Sequence, residues 1–300
     1  MASQVNALLS DIKIAHSVFA LPFAALGAGL AAWGMPDQSM PTNTLILPLG
    51  LVLVAMLSAR TAAMLANRLF DRHIDARNPR TARRPLAAGT ASVGTYVTGL
   101  TLASVVFLAA CLGFWVWRDN PWPILLGGPV LAWICAYGMF KRFTWACHLW
   151  LGASLALSVP AAAVAIDPDA IVHVIAIWTL AAMVACWVAG FDVIYALQDV
   201  ETDVADGLHS MPSRLGVPGA MWCSRVLHVA VAALLVLTWW LEPRLGGLFL
   251  AACIIATVLL AVEHATVHRW GTSKMALTFF TLNGVVSCII GGAGVWDLLL

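Results

Sequence analysis

The sequence predicts an all-α membrane protein in which nine helices cross the bilayer, and three observations support that prediction. Hydrophobic residues make up 61% of the 300 residues and charged residues only 10%, whereas about a quarter of the residues in a soluble domain are charged. Nine segments reach the roughly 20 apolar residues that a spanning helix needs. Basic residues are concentrated in every second connection, as expected of membrane proteins. The predicted spans are 14–34, 45–67, 91–117, 122–140, 145–166, 171–195, 219–241, 246–263 and 276–296.

Turn-forming residues separate these spans. Glycine, proline, asparagine and aspartate occur in connections such as 34–36, 120–123 and 167–168, where they favour turns over a continued helix. We therefore predict a single membrane-embedded domain over residues 1–300. An acidic segment follows the second helix of each group of four, which indicates a pseudo-repeat of helices 1–4 and 5–8.

The distribution of lysine and arginine predicts the orientation. Thirteen of the 16 basic residues lie on the side of the N-terminal tail and of the connections after helices 2, 4, 6 and 8, counting Arg225 near the start of the seventh span. The other side holds only Arg118 and Arg244, and Arg60 lies within the second helix. Because cytoplasmic loops carry the excess of basic residues, we expect a cytoplasmic N-terminus in the inner cell membrane. The acidic helix ends then also face the cytoplasm.

A ladder of polar side chains ends the second helix. Asn67, Asp71 and Asp75 are spaced four apart, which stacks them on one helical face. Arg60 lies two turns earlier, near the same face. Stacked carboxylates at the end of an apolar helix need partners, and a hard divalent cation is the natural one.

A second ladder lies at the end of the sixth helix. Asp199 and Asp203 are four apart, and Asp192 and Tyr195 precede them on about the same face. Two such ladders could hold one or two Mg²⁺ ions, and Mg²⁺ prefers one or two carboxylates together with phosphate oxygens and water. The two ladders therefore predict a diphosphate site.

Basic residues near the ladders fit such a site. Arg72, Lys141 and Arg142 could take the phosphate charge, and Tyr137 lies one turn before Lys141 on the same face. Topology anchoring would also explain Lys141 and Arg142.

A purely structural interpretation competes with the functional one. For Asp206, Arg80, Arg83, Arg84 and Arg214, the role of a solvated helix end is at least as good an explanation. Repeated fourfold spacing in two places argues against it for the ladders. Asp192 and Arg60 lie deepest, where ionisable groups are usually functional, although a buried ion pair would also explain them. His148 is interpreted as a hydrogen-bonded packing residue.

The ladders resemble the two motifs of the UbiA superfamily of intramembrane aromatic prenyltransferases. Asn67, Asp71 and Asp75 match N-x-x-x-D-x-x-x-D, and Asp199 and Asp203 match D-x-x-x-D. Nearby residues extend the resemblance over essentially the whole chain: Asp192, Tyr195, the segment 80–86 and the Lys-Arg pair after helix 4.

The resemblance implies an activity. A polyprenyl diphosphate would bind through Mg²⁺ to Asn67, Asp71, Asp75, Asp199 and Asp203, with its tail leaving sideways into lipid. Loss of pyrophosphate would give an allylic cation that attacks an electron-rich aromatic ring. The four motif aspartates and Asp192 would be catalytic. The substrate-binding side chains would be Arg60, Asn67, Arg72, Tyr137, Lys141, Arg142 and Tyr195.

The resemblance also assigns two finer roles. Arg60 would bind the carboxylate of the aromatic acid, and Asp192 would stabilise the cation or accept a proton. The opening segment and the run 207–216 resemble the 4-hydroxybenzoate polyprenyltransferase group, and more narrowly its branch in the futalosine route to menaquinone. Within this run the chain departs from the ubiquinone-type members, because residues 209–212 replace a lysine-containing run. The acceptor, hydroxybenzoate or a dihydroxynaphthoic acid, stays open.

Two other classes of membrane protein compete with an enzyme as explanations of the sequence. An ion-coupled transporter would also place aspartate and arginine in the membrane, but here the acidic groups crowd one end and not the midplane. A structural membrane subunit would not need two sets of carboxylates with the spacing of metal ligands. Membrane lipid is an expected partner, and no nucleic-acid partner is predicted.

Overall fold

The computed structural model describes residues 2–12, 17, 19–33 and 42–300, and no β-strand occurs among them. Thirteen α-helices follow one another along these residues. They are α1 Ala2–Ile12, α2 Leu21–Ala32, α3 Ile46–Arg77, α4 Val93–Arg118, α5 Trp122–Phe140, α6 Cys147–Ala156, α7 Ser158–Ile166, α8 Ala170–His173, α9 Ile175–Ala196, α10 Val200–Ala205, α11 Met211–Leu241, α12 Gly247–Trp270 and α13 Asn283–Leu299.

Eight segments of the described chain are long and apolar enough to cross a membrane, so the fold is all-helical as predicted. They are Ile46–Arg77, Val93–Arg118, Trp122–Phe140, Cys147–Ile166, Ile175–Ala205, Met211–Leu241, Gly247–Lys274 and Ala276–Leu299. They correspond to the second to ninth predicted spans. The first predicted span, 14–34, lies partly outside the described residues, and its described part contains α2, an apolar helix shorter than a full span. The predicted count of nine is therefore not confirmed.

The seventh predicted span begins too late, because its prolines do not break the helix. We predicted a start at residue 219, whereas α11 begins at Met211. Pro212 lies in the first turn, where a missing N–H costs nothing, and Ser210 caps the helix in a reciprocal pair with Ser213. Pro218 is accommodated by a kink at Gly216, whose φ of 67° is a conformation that glycine adopts easily.

Two further spans differ in regularity. The fifth is divided into α6 and α7 at Leu157, just before Pro160, which cannot donate a backbone hydrogen bond. The ninth begins with a π-helical segment, Ala276–Leu282. The side chain of Asn283 donates hydrogen bonds of 2.9 Å to the carbonyl of Thr278 and 3.0 Å to Glu263 Oε1, which ties this segment to α12.

The helices enclose a central space. Neighbour contacts run from α2 through α13, α12, α11, α9, α6, α5 and α3 and back to α2, while α4 packs outside α3 and α5. The main apolar core lies in the half formed by α2, α7, α9, α12 and α13, and includes Phe23, Leu180, Trp187 and Phe249. The ends of α3, α5 and α9 carry the predicted site residues and lie together at one end of this ring.

The helix α1 is fixed to that same end by a buried polar cluster. Asp11 accepts hydrogen bonds from Arg68 Nε at 3.2 Å and from the Tyr96 hydroxyl at 2.8 Å, and all three side chains are buried. Because a buried charge needs a partner, the pair holds α1 against α3 and α4.

Close packing of α6 on α9 yields a stability prediction. A Cβ atom at Gly152 would overlap the backbone carbonyl of Ala185, whereas one at Gly128 in α5 would meet nothing. We expect Gly152→Ala to lower stability by about 1–3 kcal/mol, the usual cost of overpacking, and Gly128→Ala to be neutral or slightly stabilising. Thermal unfolding in detergent compares the two, and equal melting temperatures would contradict the packing described here.

Candidate active site

A large cavity of about 720 Å³ lies inside the ring of helices. At one end it is lined by polar side chains, namely Arg60, Asn67, Arg68, Asp71, Asp75, Asn78, Arg80, Arg84, Tyr137, Lys141, His148, Asp192, Tyr195, Asp199 and Asp203. The rest of its wall is mainly apolar and includes Leu126 and Trp178, which are 44% and 51% exposed. The cavity thus combines a charged chamber with a mainly apolar space.

The carboxylates of the first ladder are buried and held by cations. Asp71 is 3% exposed and lies 2.7 Å from Lys141 Nζ and 3.1 Å from Arg142 Nη2. Asp75 accepts two hydrogen bonds of 2.8 Å from Arg84 Nη1. The C-terminal turns of α3 therefore concentrate both charge signs at the polar end of the cavity.

In the second ladder, Asp199 is held in the same way. Asp199 accepts hydrogen bonds from Arg80 Nε at 2.9 Å and from Asn78 Nδ2 at 2.8 Å. Arg80 also donates to the Tyr195 hydroxyl at 2.9 Å and covers its ring at 5.2 Å. Burial lowers the pKa of Arg80, but the hydrogen bond to Asp199 and the charge nearby raise it overall, so this cation is permanent. Asp203 lines the cavity beside Ser210.

Asn67 shows an unusual hydrogen-bonding pattern. Its Nδ2 donates to the Tyr137 hydroxyl, while its Oδ1 is buried and accepts no hydrogen bond from any residue that the structure describes. A buried oxygen without a partner is costly. The Oδ1 atom of Asn67 is thus available in the cavity wall to bind a ligand such as a metal ion, which is the role predicted for this side chain.

Asp192 has a different partner from the ladder carboxylates. Its Oδ2 lies 2.7 Å from Nδ1 of His148 in α6, and Nε2 of His148 accepts a hydrogen bond of 3.2 Å from the backbone N–H of Met211. His148 is hydrogen-bonded and buried, as predicted from sequence, but it belongs to the site, which the sequence did not indicate.

The structure separates the predicted arginines. Arg60 lines the cavity and donates to the carbonyl of Ile12 at 3.2 Å. Arg72 does not line the cavity, and its Nε lies 3.0 Å from His73 Nε2. Arg72 is therefore not brought together with the other candidates, because it points away from the face shared by Asp71 and Asp75.

The five residues for which a solvated helix end is at least as good an explanation differ in their surroundings, and Arg83 among them is exposed. Arg80 and Arg84 bind ladder carboxylates and line the cavity. Asp206 pairs with the exposed Arg77, and Arg214 is exposed and contacts His209. The interpretation as solvated helix ends does not account for the contacts of Arg80 and Arg84, because the loop that carries them folds back over the cavity.

The donor atoms fit a magnesium site completed by phosphate. Among the described residues, no three histidine, cysteine or acidic side chains lie close enough to form a metal site by themselves. Asp71, Asp75 and Asp199 each lie beside a lysine or arginine side chain. Mg²⁺ does not need such a cage, since it takes one or two carboxylates with phosphate oxygens and water. The oxygens of Asn67, Asp71 and Asp199 supply that chemistry.

Comparison with known sequences decides the family. The sequence profile described as the UbiA prenyltransferase family matches residues 20–285. The chain belongs to the UbiA prenyltransferase family. It is thus an integral membrane enzyme of the prenyltransferase class, and the predicted resemblance is confirmed.

Curated relatives agree with this assignment. The chain is 29% identical to the 4-hydroxybenzoate octaprenyltransferase of Nitrosomonas eutropha, over 89% of this chain and 87% of the relative. It is 30% identical to the enzyme of the same name from Paracidovorax citrulli, over 85% of this chain and 80% of the relative.

Solved structures share the fold. An apo UbiA homologue from Aeropyrum pernix has a TM-score of 0.83 at 30% identity and covers 96% of this chain and 99% of its own. A UbiA homologue from Archaeoglobus fulgidus, solved with GPP and Mg²⁺ bound, has a TM-score of 0.67 at 17% identity and covers 98% of this chain and 100% of its own. The all-helical UbiA fold is therefore shared across distant sequences.

Proposed function

We propose that this UbiA-family enzyme transfers a polyprenyl group from its diphosphate to an aromatic hydroxy acid and releases pyrophosphate. The observation that carries the proposal is the cavity itself, in which a charged chamber adjoins a mainly apolar space. A polyprenyl diphosphate matches these two parts, because it has a highly charged head and a long apolar tail.

The charged chamber suits the diphosphate. Lys141, Arg142, Arg80 and Arg84 bring four cations to the ladder carboxylates. Asn67, Asp71, Asp75, Asp199 and Asp203 would hold Mg²⁺, which would neutralise the charge that develops on the leaving diphosphate. The Archaeoglobus fulgidus homologue, which shares the fold, binds GPP together with Mg²⁺, in line with this assignment.

The chain's own residues would divide the remaining work. The C–O bond to the diphosphate breaks with its electron pair leaving on oxygen, and an aromatic carbon then forms a bond to the allylic carbon. The apolar wall excludes water that would otherwise capture the cation. Tyr195 and Phe279, whose rings lie 4.2 Å apart at this end, would face the cation, and Asp192 would take the ring proton.

The acceptor is proposed to be a carboxylate-bearing phenol. Arg60 and Arg68 line the cavity near Tyr137, and a guanidinium matches a carboxylate geometrically. The curated relatives are 4-hydroxybenzoate octaprenyltransferases, which favours hydroxybenzoate and ubiquinone synthesis. A 1,4-dihydroxy-6-naphthoate-like acid of menaquinone synthesis carries the same two groups and is the second candidate.

We also propose how the enzyme lies in the membrane. The N-terminus and the charged chamber would lie on the cytoplasmic side of the inner membrane, which the basic residues of the connections support. The region of α2 would supply the ninth crossing. The whole chain would then act as one domain in which helices 1–4 and 5–8 form a pseudo-repeat.

The direct test uses purified protein in lipid with Mg²⁺, a polyprenyl diphosphate and each aromatic acid separately. Prenylated product with one acid would support the proposal and fix the acceptor. Release of pyrophosphate without either product would retain the diphosphate site and reject both acceptors. Transport of substrate into sealed vesicles without release of pyrophosphate would favour a carrier.

Loss of Arg60 should affect the acceptor alone. We expect Arg60→Gln to raise KM for the aromatic acid by about 10- to 100-fold, since a hydrogen bond to a charged group contributes about 1.5–3 kcal/mol. The KM for the prenyl diphosphate should stay unchanged. A phenol without the carboxylate is the matched control, because wild type and variant should use it equally. A variant with an unchanged KM for the acid would refute the role of Arg60.

A further inference from the structure

Asp192 stands apart from the other acidic groups of the cavity by the nature of its partner. Asp71, Asp75 and Asp199 each pair with a lysine or arginine side chain, whereas Asp192 pairs with the ring of His148. The His148 side chain is 4% exposed and that of Asp192 is 22% exposed. Both side chains line the cavity, but the histidine is the more deeply buried of the two and the carboxylate is the more accessible one.

The hydrogen bonds of His148 determine its tautomer. The backbone N–H of Met211 can only donate, so Nε2 of His148 must be an acceptor without a proton. The ring proton is then on Nδ1, which donates to Asp192 Oδ2 at 2.7 Å. The Met211 N–H donor on one side and the Asp192 acceptor on the other fix the orientation of the His148 ring, and the ring in turn fixes the orientation of the Asp192 carboxylate.

Two neighbouring contacts hold this arrangement in place. The connection before α11 is fastened to the end of α5 by a hydrogen bond of 2.7 Å from the His209 N–H to the Lys141 carbonyl. Gly152, one turn after His148 on α6, allows α6 to lie directly against α9, which carries Asp192. The positions of Met211, His148 and Asp192 are therefore fixed by three separate elements.

We propose that His148 is a positioning residue that orients the carboxylate of Asp192 to accept the proton from the prenylated aromatic ring. The inference rests on the proposed function, since it concerns one step of that reaction. In this role His148 acts on the reaction through Asp192.

The step has a defined balance of bonds. Attack on the allylic cation makes a C–C bond and leaves the attacked ring carbon with four substituents and the ring with a positive charge. The C–H bond at that carbon then breaks, its electron pair restores the aromatic ring, and the proton passes to a carboxylate oxygen of Asp192. A general base has to lie within hydrogen-bond reach of the proton that it removes, so a carboxylate free to rotate would slow this step.

The experiment compares His148→Asn with His148→Leu. Asparagine keeps an N–H near the position of Nδ1 and can still donate to Asp192, whereas leucine keeps only the bulk. We expect His148→Leu to lower kcat roughly 10- to 100-fold, with little change in either KM. The expected loss is only part of the rate contribution of a general base, because Asp192 itself remains. His148→Asn should recover most of that loss. The matched control is His268→Asn at the exposed end of α12.

An isotope effect separates positioning from a merely structural role. With an acceptor deuterated on the attacked ring carbon, wild type should show no primary effect on kcat, because proton loss follows a slower step. His148→Leu should show a clear one, and His148→Asn a reduced one. Full activity of His148→Leu, or a slow variant without an isotope effect, would overturn the inference and leave the proposed function intact. Absence of prenylated product from wild type with either acid would overturn both.

Discussion

Replacing Asp71 by asparagine is expected to lower turnover by about 100- to 1,000-fold, which is the scale of removing one electrostatic contact to a developing charge. Asp71 lies between Lys141 and Arg142 and belongs to the proposed Mg²⁺ ligands. Asparagine keeps the shape and removes the negative charge, so the diphosphate head would lose the metal that joins it to α3. Initial rates of pyrophosphate release measure the effect.

The control for this change is Asp206→Asn. Asp206 pairs with Arg77, whose side chain is exposed, and neither residue lines the cavity, so this variant should keep its activity. Both variants should elute as folded protein and unfold near the wild-type temperature. An Asp71→Asn enzyme that is folded and fully active would remove Asp71 from the diphosphate site.

Removing divalent cations is expected to stop the reaction. With EDTA in excess, turnover should fall by about a thousandfold, corresponding to roughly 4 kcal/mol of lost charge stabilisation, and added Mg²⁺ should restore it. Binding of the prenyl diphosphate should weaken in parallel, because Asp71, Asp75 and Asp199 would then face phosphate oxygens without a cation between them. Direct binding titrations therefore provide a readout that does not depend on turnover.

Two controls keep this test specific. An apolar prenyl alcohol without a diphosphate should bind equally well with and without EDTA, since its contacts lie in the apolar part of the cavity. Unchanged diphosphate binding in EDTA would mean that Lys141, Arg142, Arg80 and Arg84 alone hold the head group, and would contradict the metal assignment.

The sequence predicted the parts of the structure that depend on local periodicity. The fourth span, 122–140, agrees with α5 at both ends, because an apolar run flanked by Asn-Pro and Lys-Arg has clear boundaries. The fourfold spacing of Asn67, Asp71 and Asp75 placed them correctly on one buried face of α3. Such features follow from helix geometry alone.

The features that the sequence did not predict depend on contacts between distant segments. His148 and Asp192 are 44 residues apart, and nothing near His148 indicates its partner. Arg80 and Arg84 looked like solvated residues after a helix, yet their loop folds back onto Asp199 and Asp75. Pro212 looked like a helix breaker because only the structure shows that it occupies a first turn.

The exposed side chains of Leu126 and Trp178 in the cavity wall have a consequence for kinetics. A substrate that enters sideways comes from the bilayer, so its effective concentration is its mole fraction among the lipids and not its amount per volume of water. Adding inert lipid at constant enzyme and substrate would lower the mole fraction of the substrate in the bilayer and so slow the reaction. Constants measured for this enzyme are therefore comparable only when the lipid-to-substrate ratio is stated.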